Sequence, residues 1–328
     1  MKLKTVILTN KDICNLLSIN DALGIIEDAF RAYGNKKAQM PAKIYIKLHQ
    51  YNGDLRAMPA FIETTKACGM KWVSVYPGNR QKGLPTTIAT IILNDAKSGF
   101  PLAVMDGTYI TKIRTAAAGA TAAKYLARKD SKIVAMAGCG SQAESQLAAL
   151  NEYFDIKLVK ACGQKPIYAQ DFIKRMQGLK LRMAVSKTVK DCVKDADIVV
   201  TTTPSRKPLV YLDWLKKGVH INAIGADAKG KQELEPAILK NAKVVIDDWA
   251  QAMASGEINV AWSKGLLAKK DIHATLGEVI LHRKPARTDK DELTVFDSTG
   301  LAIQDISCAQ FAYSQALKHN IGERIKII

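Results

Sequence analysis

The chain has 328 residues, of which 48% are hydrophobic and 24% are charged, and its formal net charge is +17. These fractions are typical of globular proteins and exclude disordered, collagen-like and coiled-coil chains, while the length favours about two domains. No apolar run approaches the roughly 18 residues that span a bilayer, and the first residues lack a signal-peptide pattern. We therefore expect a cytoplasmic protein without a membrane partner.

The excess of 48 Lys and Arg over 31 Asp and Glu raises the question of a nucleic-acid partner. Basic residues occur singly or in pairs, however, without interleaved aromatic residues or a nucleic-acid-binding motif. We expect a lysine-rich solvated surface that draws in small anions, and no nucleic-acid partner. The six cysteines form no C-x-x-C pair and have no metal-ligand spacing with the histidines, so we also expect no metal site.

The first third of the chain has the pattern of a mostly antiparallel sheet with one or two helices. Asn20 and Asp21 are candidate N-caps for an amphipathic helix over 20–33, which Gly34 would end. Alternating apolar residues separated by turn residues predict strands over 6–8, 43–49, 56–61, 70–75, 87–94 and 102–105.

The sequence pattern changes near Asp106. Residues 108–127 are rich in Ala and Thr and predict a tightly packed helix. Beyond them apolar strands alternate with amphipathic helices, which is typical of a doubly wound parallel sheet. Strands are predicted over 132–137, 157–162, 198–202, 220–224, 244–247 and 294–296. A last helix over 302–319 is expected to pack back on the first domain.

A glycine-rich turn follows the strand over 132–137 and precedes a helix predicted over 142–153. Its residues from Gly138 to Ala143, including Gly140, Ser141 and Gln142, fit G-x-G-x-x-A. In this pattern the first glycine permits a tight turn, the second lets a pyrophosphate approach the backbone, and the helix N-terminus faces the phosphates. The context favours a dinucleotide site over an ordinary strand-to-helix turn.

The acidic residue that usually binds the adenosine ribose about 20 residues later is missing. Gly163, Gln164 and Lys165 stand at the end of the second strand instead. Without a carboxylate a 2′-phosphate is not repelled, and Lys165 is either its counter-charge or one more surface lysine. We expect NAD or NADP as cofactor, with NADP tolerated or preferred.

Four cations lie in or beside apolar strands or the Ala-rich helix: Lys43, Arg56, Lys71 and Arg114. Buried cations are costly without partners, and a substrate carboxylate is one possible partner. Structural salt bridges and snorkelling side chains are the alternatives for each one alone. Asp227, just beyond the strand over 220–224, stands where parallel sheets hold catalytic groups, but it also suits a helix cap.

The ordered blocks of the chain resemble the ornithine cyclodeaminase/mu-crystallin family, and within it the archaeal-type alanine dehydrogenases. The resemblance covers essentially the full length. The blocks are 56–60, 71–73, 83–86, 99–107, 111–117, 138–142, 220–227 and 296–300.

The resemblance implies an α/β fold in which a Rossmann doubly wound domain (114–298) is inserted in an α+β substrate-binding and dimerisation domain (1–113 and 299–328). It also implies a homodimer and a nicotinamide cofactor. Lys71 and Asp227 would be catalytic, and the substrate would contact Lys43, Arg56, Lys71, Arg114 and Thr299. The cofactor would contact Thr86, Arg114, Gly138, Gly140, Ser141, Gln142, Lys165, Ile224, Gly225, Ala226, Lys231 and Ser298.

Three departures from the family pattern bear on specificity. Lys43 replaces a frequent arginine, which keeps the charge but loses the bidentate fork. Arg56 stands where ornithine-specific members carry an acid, so it would repel a distal ammonium and favour a carboxylate. Gly163 replaces the usual ribose-binding aspartate and leaves the cofactor preference open.

We therefore expect a reversible alanine dehydrogenase that converts L-alanine to pyruvate and ammonium. In this hypothesis the cations fix the carboxylate, Lys71 stabilises negative charge on the carbinolamine oxygen, and Asp227 activates water. The alternatives are an ornithine cyclodeaminase that forms proline, a cyclic ketimine reductase, and a mu-crystallin-like cofactor-binding protein without turnover.

Overall fold

The computed structural model describes residues 4–327. Its strands are β1 (Thr5–Leu8), β2 (Ala38–Gln39), β3 (Ile44–Leu48), β4 (Gly53–Ile62), β5 (Ala67–Val75), β6 (Thr87–Asp95), β7 (Pro101–Asp106), β8 (Ile133–Ala137), β9 (Leu158–Cys162), β10 (Met183–Val185), β11 (Ile198–Thr201), β12 (His220–Ala223), β13 (Lys243–Ile246), β14 (Ile272–Thr275), β15 (Thr294–Asp297) and β16 (Glu323–Ile325).

The helices alternate with these strands, above all after β8. They are α1 (Asn10–Leu16), α2 (Ile19–Gly34), α3 (Thr108–Leu126), α4 (Ser141–Asn151), α5 (Pro166–Arg175), α6 (Val189–Val193), α7 (Pro236–Asn241), α8 (Trp249–Ser255), α9 (Asn259–Ser263), α10 (Leu276–Ile280) and α11 (Ala302–His319). Within the described part of the chain, none is both long and apolar enough to cross a membrane.

The chain divides into two compact units. The first unit runs to Arg114 and resumes at Leu301, and the second unit is Thr115–Gly300. The sequence prediction put these boundaries one residue earlier in α3 and two residues earlier after β15.

The first unit contains a mostly antiparallel sheet in the order β16-β1-β7-β6-β5-β4-β2, with β3 paired to β4. Only the β1–β7 pair among these described strands is parallel. Helix α11 packs on β4, β5 and β6, and also on α2. The inward residues of these strands, such as Met58, Val73 and Ile91, are buried beneath the helices.

The second unit contains a parallel sheet in the order β10-β9-β8-β11-β12-β15-β13-β14. Its first five strands have the 3-2-1-4-5 order of a dinucleotide-binding fold, and β15, the last strand of this sheet along the chain, lies between β12 and β13. The central strands β8, β11, β12 and β15 are almost entirely buried. The strand order reverses between β8 and β11, where such sheets bind ligands at the carboxyl ends of their strands. The predicted α/β fold class, with a Rossmann-type sheet, is confirmed.

The N-terminal cap of α2 differs from the prediction. The helix begins at Ile19, and Ser18 caps it: the Ser18 hydroxyl accepts a bond from the Asp21 amide, while the Asp21 carboxylate accepts from the Ser18 amide. Asp21 is thus the reciprocal partner in a capping box, because a side chain three positions inside the helix can bond back to the cap.

Candidate functional site

Lys71 projects from β5 onto the inner face of the first unit's sheet. Its residue is only 1% exposed, although its neighbour Trp72 on the opposite face is 37% exposed. Successive residues of a strand point to opposite faces, so the apolar strand pattern forces Lys71 under α11. A buried ammonium group needs polar partners there.

Two helices supply those partners. The Lys71 amine lies 2.8 Å from Asp305 Oδ1 on α11 and 3.3 Å from Thr111 Oγ1 on α3. Arg114, one turn beyond Thr111, donates from Nε to the same Asp305 oxygen (3.0 Å) and from its terminal nitrogen to Gln304 Oε1 (2.8 Å). The spacing of three residues puts Thr111 and Arg114 on one face of α3. Lys71 and Arg114 therefore share one fully buried carboxylate oxygen.

Burial is the main cause that lowers the pKa of Lys71, to about 7. The charges of Arg114 and Lys43 lower it further, whereas Asp305 raises it through its charge and its hydrogen bond. Lys71 thus exchanges a proton near neutral pH, which suits a group that acts as both acid and base.

Arg56 also lies on the inner face of the sheet, but it pairs with a different carboxylate, that of Asp54. Its Nε lies 2.6 Å from Asp54 Oδ1, and its guanidinium lies 5.1 Å from the centre of the Tyr45 ring. The structure therefore brings Lys71 and Arg114 together on one carboxylate, with Lys43 near enough to act on the Lys71 pKa. We call Lys43, Lys71 and Arg114 the cation cluster. Protein carboxylates, rather than a substrate alone, neutralise Arg56, Lys71 and Arg114.

In the second unit, three predicted cofactor residues, together with Thr202, follow four adjacent parallel strands. Gly138 follows β8, Thr202 follows β11, Ile224 follows β12 and Ser298 follows β15. Backbone bonds hold these strand ends in register: Thr202 donates to Ala137 O at 3.0 Å, and Ser298 to Ala223 O at 3.1 Å. The side-chain oxygens of Thr202, Ser298 and Gln142 are buried without a hydrogen-bond partner. Such orphaned polar atoms mark a place where a ligand completes the bonding.

The two glycines of the turn after β8 have different environments. Gly138 has φ +111°, and a Cβ there would lie 2.6 Å from Thr202 Oγ1. Gly140 is the N-cap of α4, has φ −86°, and a Cβ there would project into open space. Gly138 is needed for the fold of the turn, whereas the space at Gly140 lies over the free amides of a helix N-terminus. These features fit the pyrophosphate of a dinucleotide.

Asp227 and Lys231 form an ion pair at 2.5 Å in the loop after β12, with side chains 30% and 17% exposed. Glu233 holds the start of this loop, because its carboxylate accepts bonds from the Gly225 amide (2.9 Å) and from Thr203 N and Oγ1 (2.6 and 2.7 Å). Gly225 approaches Thr203 so closely that a Cβ would lie 2.2 Å from the Thr203 carbonyl.

The remaining predicted residues are spread over both units. Ser141 is the exposed first residue of α4, and Lys165 is the exposed N-cap of α5. Ala226 is buried, and Thr86 is exposed just before β6. Thr299 lies in the second unit, where its amide and hydroxyl bond to Asp247, so it is outside the first unit to which the sequence prediction assigned it.

Sequence reasoning missed Asp305, Gln304, Glu233 and Thr202. Asp305 is separated from Lys71 by 234 positions, so no local pattern connects them. The signal available was an acid among the mostly apolar and small residues of 301–309, which indicates a buried partner for a cation.

Comparison with known proteins places the chain in a family. The model of the ornithine cyclodeaminase/mu-crystallin family matches residues 3–320. The chain belongs to this family. Alanine dehydrogenase of Archaeoglobus fulgidus is 50% identical over 326 residues, with 99% of each chain covered.

Solved structures of family members agree with the fold. An archaeal alanine dehydrogenase dimer with bound NAD has a TM-score of 0.95, 49% identity, and coverage of 99% of this chain and 100% of that chain. The Δ1-pyrroline-2-carboxylate reductase of Thermococcus litoralis, in complex with NADH and L-proline, has a TM-score of 0.95, 36% identity, and coverage of 97% and 99%. The predicted family resemblance is confirmed.

Proposed function

We propose that this chain is an NAD(P)-dependent alanine dehydrogenase. The reaction is L-alanine, NAD(P)⁺ and water to pyruvate, ammonium, NAD(P)H and a proton, and it is reversible. The structural observation that carries the proposal is the cation cluster, in which a lysine with a pKa of about 7 stands beside Arg114. The similarity to alanine dehydrogenases over nearly the whole chain supports the same activity.

The second unit would hold the cofactor at the ends of β8, β11, β12 and β15. The α4 N-terminus with Gly138, Gly140, Ser141 and Gln142 binds the pyrophosphate, and Ser298 supplies a hydroxyl farther along. The other contacts proposed for the cofactor are Thr86, Arg114, Lys165, Ile224, Gly225, Ala226 and Lys231. Bound NAD supplies the acceptor for the hydride that leaves Cα of the substrate.

The cation cluster would bind and orient the substrate. Arg114 and Lys43 hold the carboxylate, and protonated Lys71 stabilises negative charge on the carbonyl or carbinolamine oxygen. Arg56 is proposed to border the same substrate, although Asp54 already neutralises it. The pairing with Asp54 reduces the repulsion of a distal ammonium expected from Arg56 alone. Thr299 is the remaining proposed substrate contact.

Asp227 would activate the water that adds to the imine and return its proton when ammonia leaves. In the structure its carboxylate is paired with Lys231. Lys71 and Asp227 are thus the two proposed catalytic residues.

Reduction of a cyclic imino acid is the second candidate function. The Thermococcus litoralis reductase, 36% identical to this chain, is in complex with NADH and L-proline. Both reactions place a carboxylate beside a C=N or C–N carbon, so the same cations serve either one. The size of the side-chain pocket decides between them.

We also propose a homodimer formed through the outer face of the first unit's sheet. Four large apolar side chains are exposed there: Ile44 (64%), Ile46 (47%), Trp72 (37%) and Ile88 (39%). The register aligns Ile44 and Trp72 in one row through Ala57, and Ile46 and Ile88 in the next through Leu55 and Ser74. An apolar patch of this kind indicates an interface, and we assign it to a second copy of the chain because an archaeal relative is a dimer.

The activity is tested by following cofactor absorbance with three substrates and an Asp227→Asn variant. We expect NADH oxidation with pyruvate plus ammonium, less with pyrroline-2-carboxylate, and no proline from ornithine. Asp227→Asn should lower the rate by about 10²- to 10⁴-fold. The control is Asp155→Asn, which removes an exposed carboxylate paired with Lys157 in the same unit and should leave the rate unchanged.

Other outcomes identify the alternatives. A higher kcat/KM for pyrroline-2-carboxylate than for pyruvate would identify the protein as a cyclic imine reductase. Formation of proline from ornithine without net production of NADH would identify it as a cyclodeaminase. Tight NADH binding with no turnover on any of these substrates would leave a cofactor-binding protein. Full activity of Asp227→Asn would remove Asp227 from the mechanism.

A further inference from the structure

Asp305 is the one carboxylate on which the two buried cations Lys71 and Arg114 converge in the described structure. It is 0% exposed, lies in the first turn of α11, and uses the same oxygen for both partners. We propose that Asp305 is the positioning residue of the substrate site: it holds the Lys71 amine and the Arg114 guanidinium in place and balances their charge. This inference rests on the proposed function, since it assigns a role toward the residues that would bind substrate.

The charge balance is the first argument. Two buried cations side by side repel each other, and removing water from them is costly unless an anion is close. With Asp305 ionised, protonated Lys71 and Arg114 leave one positive charge in excess, which matches one substrate carboxylate.

The geometry is the second argument. Gln304, the residue before Asp305, accepts bonds from the Leu301 amide (3.2 Å) and from Arg114 (2.8 Å), so the turn that carries Asp305 is itself fixed. The second oxygen of Asp305 is buried and has no partner. A carboxylate held by one oxygen keeps the other available to accept a proton or a hydrogen bond.

The charged and titratable groups around this site shift the pKa of Lys71 in opposite directions. Arg114 on α3 and Lys43, just before β3, lower the pKa of Lys71, and Asp305 on α11 raises it. Cys308 on α11 also faces Asp305, but burial and the Asp305 charge raise its pKa, so it stays a neutral thiol. Asp305 is therefore the group that keeps Lys71 protonated up to a pH near 7.

The test measures the protonation of Lys71 directly in the full-length protein. Carbon-13 NMR of the protein labelled with 13Cε-lysine, recorded between pH 5 and 10, reports the neutral amine without requiring a reagent to reach the buried side chain. We call the pH at which the Lys71 signal is half shifted the labelling midpoint. In the native protein we expect a midpoint near pH 7 for Lys71. In Asp305→Asn we expect the midpoint about one unit or more lower, because the stabilising anion is gone.

The pH dependence of kcat/KM should shift in the same direction as the protonation of Lys71. If protonated Lys71 is required, kcat/KM for pyruvate falls as pH rises through the Lys71 pKa, and Asp305→Asn moves that limb to lower pH. At pH 7.5 we expect kcat/KM for pyruvate to be about 10- to 100-fold lower in Asp305→Asn than in the native protein. Asp305→Glu keeps the negative charge but moves it by the length of one methylene group. Its labelling midpoint should be close to that of the native protein, whereas its KM for pyruvate should be higher than that of the native protein.

Two controls separate charge from other effects. Thr111→Val removes the other bond to the Lys71 amine without changing charge, so its labelling midpoint should stay near that of the native protein. Glu63→Gln removes an exposed carboxylate paired with Lys37 in the same unit and should change neither readout.

An unchanged midpoint and pH profile in Asp305→Asn would overturn the proposal. If that variant does not fold, Asp305→Glu decides: native KM and native midpoint together would show that the position of the carboxylate is unimportant. Because the NMR measurement does not depend on turnover, a native protein inactive on alanine would refute the proposed function and leave the Asp305 result standing.

Discussion

Single residues of the site differ in how far the sequence reveals them. Lys71 and Arg114 stand out because a cation between apolar neighbours is costly, and both are buried as predicted. Their partner is not evident, because Asp305 is brought to them by tertiary packing across 234 positions. The prediction that such cations await a substrate was therefore incomplete, since Arg56 and Lys71 each already have a carboxylate.

The choice between NAD and NADP depends on the residues after β9. No acid stands there, and exposed Lys165 occupies the N-cap position of α5, where the helix N-terminus itself favours a phosphate. We expect Lys165→Ala to raise the Kd for NADPH up to about fivefold, as for an exposed ion pair of ~1 kcal/mol, and to leave the Kd for NADH unchanged.

Titration by cofactor fluorescence measures both constants. Lys174→Ala, an exposed lysine on the same helix, is the control and should affect neither nucleotide. A native enzyme whose kcat/KM with NADH greatly exceeds that with NADPH would contradict the expected acceptance of NADP.

At the scale of elements, segments with an apolar run or a clear alternation were predictable, and short strands without such a pattern were not. The β4–β7 strands, the α3 and α11 helices and β8, β11, β12 and β15 all lie where the patterns put them. The short strands β2, β10 and β16 have two or three residues, and within these bounds neither alternation nor an apolar run of four residues marks them in the sequence. Helix α1 was also missed, although Thr9 and Asp12 form a capping box that is legible in the sequence.

The strand–turn–helix of β8 and α4 gives a prediction that separates folding from binding. Gly140→Ala should leave the free energy of unfolding within about 0.5 kcal/mol, since its Cβ meets open space, yet raise the Kd for NADH about tenfold or more. Gly138→Ala should destabilise the protein by about 1–3 kcal/mol, because it forces an alanine to a positive φ against Thr202.

Thermal unfolding of the apo protein and nucleotide titration measure the two effects. The dinucleotide assignment fails if Gly140→Ala binds NADH as tightly as the native protein does.

At the scale of the whole molecule, the apolar sheet face predicts the assembly. Trp72→Glu should weaken the dimer by about 30-fold or more, because a carboxylate in the middle of the patch must lose its water on association. Light scattering after gel filtration should then show a species near 35.9 kDa instead of twice that mass.

Leu317→Glu is the matched control, since Leu317 is 45% exposed on α11, away from the sheet strands that carry the patch. This variant should stay dimeric. A native protein that is monomeric at micromolar concentration would exclude the proposed interface.

The position of α11 in the chain has a consequence for synthesis. The cations of the first unit are translated long before the helix that neutralises them, whereas Thr115–Gly300 is complete before α11 begins. During translation the nucleotide-binding unit can fold while β4, β5 and β6 still lack the cover that buries Lys71. Chains truncated before residue 301 should therefore fold around a cofactor and yet expose a sheet that invites aggregation, the usual hazard of uncovered strands on the ribosome.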